Sequence, residues 1–158
     1  MKPRPRSVER KVAEHLSATF RFLGYSSVQR VPVLGRTGPD ITINEFGLVI
    51  DVKSRLCISK ALVANIPIVI GEEFIGAPLE RLVDLTETTF IDTRRHSIVI
   101  KRWFDHMVEW QLENCPNGIP ALILHRPGMP VGKSVFVIYE KDRKEFAKRW
   151  KLKLSTSQ

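Results

Sequence analysis

The sequence predicts an α/β protein, a mixed sheet flanked by helices, and three observations predict it. A helix-period apolar stripe opens the chain, and two short alternating segments around Glu45-Phe-Gly47 follow it. A second helical segment, two β-branched apolar runs and a last helix then close the chain. The order α-β-β-β-…-α-β-β-α sets helices beside strands, an arrangement that covers a sheet with helices.

Taken in order, Met1 to Arg6 read as a basic, proline-bearing tail expected to stay mobile. Ser7 caps a helix running to about Leu23, which Gly24 stops. Val28 to Leu34 reads as a strand, and Gly35-Arg-Thr-Gly38 as a turn before Pro39. Ile41-Thr-Ile-Asn44 and Leu48-Val-Ile-Asp-Val-Lys53 form a β-hairpin. Residues 56–97 carry mixed signals, broken by Pro67, Gly71, Gly76 and Pro78, and stand as an unassigned insertion. Arg102 to Glu113 reads as a helix, with Trp103, Met107 and Trp110 spaced by four and three. Ala121–His125 and Val135–Tyr139 read as strands, and Asp142 caps a final helix ending near Leu152.

The 158 residues amount to one domain at roughly 150 per domain. Charged residues at 27% and hydrophobic ones at 43% exclude a disordered chain. No apolar run approaches the roughly 20 residues of a membrane span, and no secretory signal is visible. Cys57 and Cys115 lie 58 residues apart without a Cys-x-x-Cys, which argues against a disulfide framework or zinc cluster. The expectation is a soluble cytoplasmic protein with no membrane contact. Its net charge of +8 and pI near 9.8 make nucleic acid the obvious polyanionic partner.

One acid on the first helix is misplaced. Advancing about 100° per residue, Val8, Val12, Ala13, Leu16, Phe20 and Leu23 form one apolar stripe. Glu9 falls inside that stripe, whereas Glu14, Arg10 and Lys11 fall outside it. A carboxylate on a buried face costs several kcal/mol unless it is paired, protonated or bound to metal. The plainer reading puts Glu9 in a first turn that reaches water and favours an anion.

The hairpin supplies partners for it. Along Leu48–Lys53 the side chains alternate, so Val49, Asp51 and Lys53 share one face. Antiparallel pairing brings Asp40, 11 residues before Asp51, to the same end of the hairpin. Two converging carboxylates repel and want a cation between them. Hard oxygen donors suit Mg²⁺, or Mn²⁺ in its place, and no His or Cys accompanies them at zinc spacing. A divalent ion activates water and offsets phosphorane charge, while Lys53 stabilises the oxyanion. Glu9, Asp40, Asp51 and Lys53 are therefore the set that phosphodiester hydrolysis requires. The plainer alternative is an exposed strand face with an Asp51–Lys53 pair worth about 0–1 kcal/mol.

These residues resemble the PD-(D/E)XK nuclease superfamily, Pro39-Asp40 matching its first half and Asp51-Val52-Lys53 its second. Within it, Ser7–Leu16, Arg30-Val-Pro32, Gly35-Arg36, Pro39-Asp40 and Asp51-Val-Lys-Ser-Arg55 look like the archaeal-type Holliday junction resolvases. The similarity covers about the first third of the chain and is weaker at Gly118–Leu122 and the last strand. It implies a restriction-endonuclease-like core and metal ligation by Glu9, Asp40, Asp51 and the carbonyl of Val52, with Lys53 catalytic. Arg10, Arg30, Arg36, Ser54 and Arg55 fall where the family contacts DNA. It further implies a homodimer that cuts opposed strands of a four-way junction. The second acid is Asp51 where these resolvases usually carry Glu, a change the wider superfamily tolerates. Residues 56–97 are longer than the family's connection.

Other features have plainer explanations. Arg94-Arg95 and Lys101-Arg102 flank a strand-like Ile98-Val-Ile100 and read as basic surface or a grip on a DNA arm. Trp103, Met107 and Trp110 read as core, with a dimer seam or a stacking platform as alternatives. In Lys141–Lys153, Phe146 and Trp150 turn inwards and the cations outwards. His15, His96, His106 and His125 show no ligand spacing, and no covalent-catalysis signature appears. The expected function is a metal-dependent, structure-selective endonuclease. The rivals are a restriction-like or repair endonuclease on linear or flapped DNA, and a non-catalytic DNA-binding module.

Overall fold

The computed structural model describes residues 5–22, 28–30, 39–55, 68–70, 74–86, 93–94 and 98–156. The amphipathic stripe near the N-terminus forms helix α1 (Pro5–Phe22). Strands β1 (Val28–Arg30), β2 (Ile41–Ile43) and β3 (Leu48–Ser54) follow, then β4 (Ile68–Ile70), β5 (Phe74–Pro78) and β6 (Thr93–Arg94). Helix α2 (Ile98–Asn114), strands β7 (Ile119–His125) and β8 (Val135–Tyr139), and helix α3 (Arg143–Thr156) complete the order.

Among the described residues, eight strands make one mixed sheet in the order β1-β2-β3-β7-β8-β5-β4-β6. β3 and β7 are parallel, because the chain crosses over through α2 between them; β2 and β3 are an antiparallel hairpin. Alternation along each strand then divides the apolar residues between two faces. Leu48, Ile50 and Val52 of β3, Ile119, Ala121 and Ile123 of β7, and Phe136 and Ile138 of β8 pack against α1 and α3. Val49, Leu122, Leu124, Val135 and Val137 pack on the other face against Ile100, Phe104 and Met107 of α2. The expected α/β architecture is present, and no helix among the described residues is long and apolar enough to cross a membrane.

Four local expectations need correction. Pro5 and Arg6, expected in the basic tail, form the first turn of α1, where proline's fixed φ and missing N–H are tolerated. Ile98-Val-Ile100 opens α2 rather than a strand. Ile100, Phe104 and Met107 recur at four and three, so the helical stripe prevails over β-branched propensity. The unassigned stretch 56–97 is no appendage in its described parts. β5 is buried throughout and pairs with β8, and the 3-10 turns Leu79–Thr86 place Leu79, Leu82 and Leu85 in the core beneath α1 and α3. The strand expected over 28–34 is β1 over Val28–Arg30; its remainder lies outside the described residues.

The fourth correction is Arg149, expected among outward-facing cations. Its Nη1 donates to the carbonyls of Phe46 and Gly47 at 3.1 Å, and its Nη2 to that of Asn117 at 2.9 Å. Nε is held by Glu145 at 3.0 Å, one helical turn back. One guanidinium thus ties α3 to the β2–β3 turn and to the turn entering β7. Gly47 closes the hairpin at φ +85°, and a Cβ there would stand 2.6 Å from Arg149 Nη1. Both requirements fix the hairpin whose far end carries Asp40 and Asp51.

Candidate active site

The β2–β3 register decides where the acids meet. Ile41 pairs with Ile50, so one step further Asp40 stands opposite Asp51, and the Asp40 N–H donates to the Ile50 carbonyl at 2.9 Å. The Val52 N–H needs a partner beyond the start of β2, and Asp40 Oδ2 accepts it at 2.8 Å. That bond pins the carboxyl at the strand end, where the residue is 9% exposed. The carboxyls of Asp40 and Asp51 are in hydrogen-bonding contact. Lys53 Nζ lies 3.2 Å from Asp51 Oδ2, as the shared strand face requires.

The cluster carries more negative charge than it can comfortably hold. Burial first, then the hydrogen bond and charge of Asp51, push the Asp40 carboxyl up to about 8 from its ordinary 3.8; the Val52 N–H partly offsets this and Glu9 adds to it. Glu9 of α1 is near enough for its charge to act on Asp40. Its side chain is 22% exposed, and Arg30 Nη2 of β1 lies 3.8 Å from Glu9 Oε2. Of the stripe around it, Val8, Val12, Ala13, Leu16 and Phe20 are buried as expected and Leu23 lies outside the described residues, whereas Glu14 is exposed.

A pH dependence follows for the metal-free protein. The fold keeps a proton on Asp40 up to about pH 8, while the unfolded chain releases it near 3.8. Stability therefore falls as pH rises between those values and levels off above them. In Asp40→Asn, the side-chain oxygen still accepts from Val52 and the amide donates to Asp51. With chelator present, its thermal midpoint should exceed that of the wild type at pH 9, and the advantage should shrink towards pH 5. An advantage that grows on acidification would contradict the assignment of the shift to Asp40.

Do these groups fit a divalent cation? Among the described residues no group of three His, Cys, Asp or Glu side chains forms a ready cation cage. Two hard carboxyls in contact, one of them kept protonated by burial and by its neighbour, nevertheless match how Mg²⁺ is held, by one or two carboxylates with water and substrate phosphate making up the rest. Asp40 and Asp51 would hold it, with Glu9 at the margin and the Val52 carbonyl as a further oxygen donor.

The cations divide. Arg10, Arg21 and Arg30, with Glu14 and Ser17, line an open groove of about 470 Å³ between α1 and β1. Arg21 joins the expected Arg10 and Arg30 there, and its position near the end of α1 held no motif that could reveal it. Arg55, just past β3, is exposed and donates through Nη1 to the Ser54 carbonyl at 3.0 Å. Arg36 lies outside the described residues.

Ser54, expected to contact DNA, also has a partner within the fold. Its Oγ is 2.8 Å from His125 Nδ1, and His125 Nε2 is 2.9 Å from the Met129 carbonyl. A carbonyl only accepts, so Nε2 donates to Met129, and the Ser54 hydroxyl and Nδ1 satisfy each other. His125, 2% exposed, therefore ties β3 to β7 and to the turn after it. Trp103 of α2 was also missed as a site residue. Lys53 Nζ sits 5.8 Å from the centre of its ring, a contact across 50 residues of chain that no local pattern signals.

Comparison with protein-family models, curated proteins and solved structures finds no match to this chain.

Proposed function

We propose that this protein is a divalent-metal-dependent endonuclease of the PD-(D/E)XK kind, with a restriction-endonuclease-like core. Its substrate is branched DNA, a four-way junction cut by a homodimer. One observation carries the reading: Asp40 and Asp51 meet at the open end of a hairpin with Lys53 3.2 Å from Asp51. An ordinary exposed strand face does not need an aspartate left only 9% exposed, with its carboxyl lifted to about 8.

A divalent cation at Asp40 and Asp51 supplies a lowered water pKa and positive charge against the phosphate. The remaining work belongs to the chain. The Val52 N–H holds the Asp40 carboxyl in one orientation. Asp51 anchors the Lys53 ammonium, whose free N–H groups can donate to a non-bridging phosphate oxygen as charge builds on it. Arg10, Arg21 and Arg30 draw the phosphate backbone along the α1–β1 groove, so the acidic centre is reached by a polyanion. The net charge of +8 serves the same end.

The test is cleavage of a labelled four-way junction and of linear duplex with the same arms, with and without Mg²⁺. Paired, Mg²⁺-dependent nicks near the crossover support the reading. Equal cleavage of both substrates moves the assignment to a general duplex nuclease. Salt-sensitive binding without scission leaves only a DNA-binding module.

A further inference from the structure

The stripe Trp103, Met107, Trp110 splits in the folded protein. Met107 is buried at 3% exposure, whereas Trp103 is half-buried at the margin of the α2-face core, beside the candidate site. Leucine or methionine would serve at a core margin. An indole adds a negative ring face, which attracts a cation more strongly than the ring of Tyr or Phe does. Lys53 Nζ lies 5.8 Å from the ring centre, within the range of that attraction.

Lys53 needs such a restraint. Its ammonium ends a flexible four-carbon stem, and β3 fixes only the direction in which the stem leaves the sheet. Asp51 fixes the ammonium from its own strand, at 3.2 Å. One anchor leaves a long side chain free to pivot; a second, from another element, does not. We propose that Trp103 is a positioning residue for the candidate reaction, its ring holding the Lys53 ammonium against the substrate phosphate. The proposal rests on the nuclease reading and adds to it a residue from α2, the helix of the crossover between β3 and β7. It also means that docking of α2 on the sheet sets the geometry of the reaction.

Turnover and KM for junction cleavage, with thermal midpoints, in Trp103→Tyr, Trp103→Phe and Trp103→Leu test this. Turnover should fall in the order wild type, Tyr and Phe, Leu, with a total loss of roughly 2- to 30-fold and KM unchanged. The decisive arm is a cycle with Lys53→Ala: in that background Trp103→Leu should cost no further turnover. A role in packing alone predicts a lowered midpoint with equal turnover for Phe and Leu, or a loss that adds to that of Lys53→Ala. Either result overturns the proposal. Cleavage by the wild type with Trp103→Leu unchanged also overturns it, alone; no cleavage by the wild type overturns the nuclease reading and this proposal with it.

Discussion

Lys53→Ala is expected to lower the rate of junction cleavage by on the order of 10²–10³-fold, the usual cost of one donor to a developing oxyanion. The ammonium can reach a phosphate because Asp51 and Trp103 hold it beside the hairpin's open end. Its removal frees the Asp51 carboxylate from an ion pair, so cation affinity should hold or rise while turnover collapses. Asp51→Asn should behave differently. It replaces a proposed carboxylate ligand by a neutral amide and removes the lysine's anionic anchor with it, so both cation affinity and turnover should fall, turnover by more than about 10²-fold. Asp40→Asn should match it, since the paired carboxyls act as a unit. Single-turnover rates over a Mg²⁺ titration separate the two behaviours. Loss of cation affinity in Lys53→Ala, or cleavage retained by Asp51→Asn, would remove these residues from the roles assigned.

Phe146→Ala should have the largest effect on stability, about 3–5 kcal/mol. Phe146 of α3 is fully buried, and its ring centre lies 5.2 Å from Phe46, 5.7 Å from Trp150 and 5.9 Å from Phe136. Truncation opens a cavity between α3, the β2–β3 turn and β8, where the aromatic neighbours cannot collapse without moving backbone. The same helix carries Arg149, which holds that turn by its carbonyls, so the hairpin bearing Asp40 and Asp51 loosens too. Denaturant unfolding measures the loss. For a domain of typical stability, about 5–15 kcal/mol, this is a large share of the total. A loss below about 1 kcal/mol would mean that the α3 face is not packed as described.

The hairpin could be read from its residues because both its signals are local. Strand alternation puts Asp51 and Lys53 on one face, and antiparallel pairing about the Glu45–Gly47 turn puts Asp40 opposite Asp51. The Glu9 stripe was equally local, since helical geometry alone places an acid among Val8, Val12 and Leu16. β5 was not readable. Phe74-Ile-Gly-Ala-Pro78 mixes strand formers with residues that usually interrupt a strand, and only its partner β8, some 60 residues away, makes it one. Tertiary contact also decided Ser54 and Trp103. The first is claimed by His125 across β3–β7, and the second reaches Lys53 from α2. Neither neighbour is implied by spacing in the sequence.

The Asp40–Asp51 pair is proposed to hold a divalent cation, and binding can be measured without DNA. Titration of the purified protein with Mn²⁺, followed by its electron paramagnetic signal and repeated with Mg²⁺ competition, gives site number and affinity. A saturable site displaced by Mg²⁺ and lost in both Asp40→Asn and Asp51→Asn is expected. Protons should be released on binding below about pH 8, because the cation would displace the proton on Asp40. Saturable binding that survives both substitutions, or no binding by the wild type at millimolar Mn²⁺, would contradict that role for the pair.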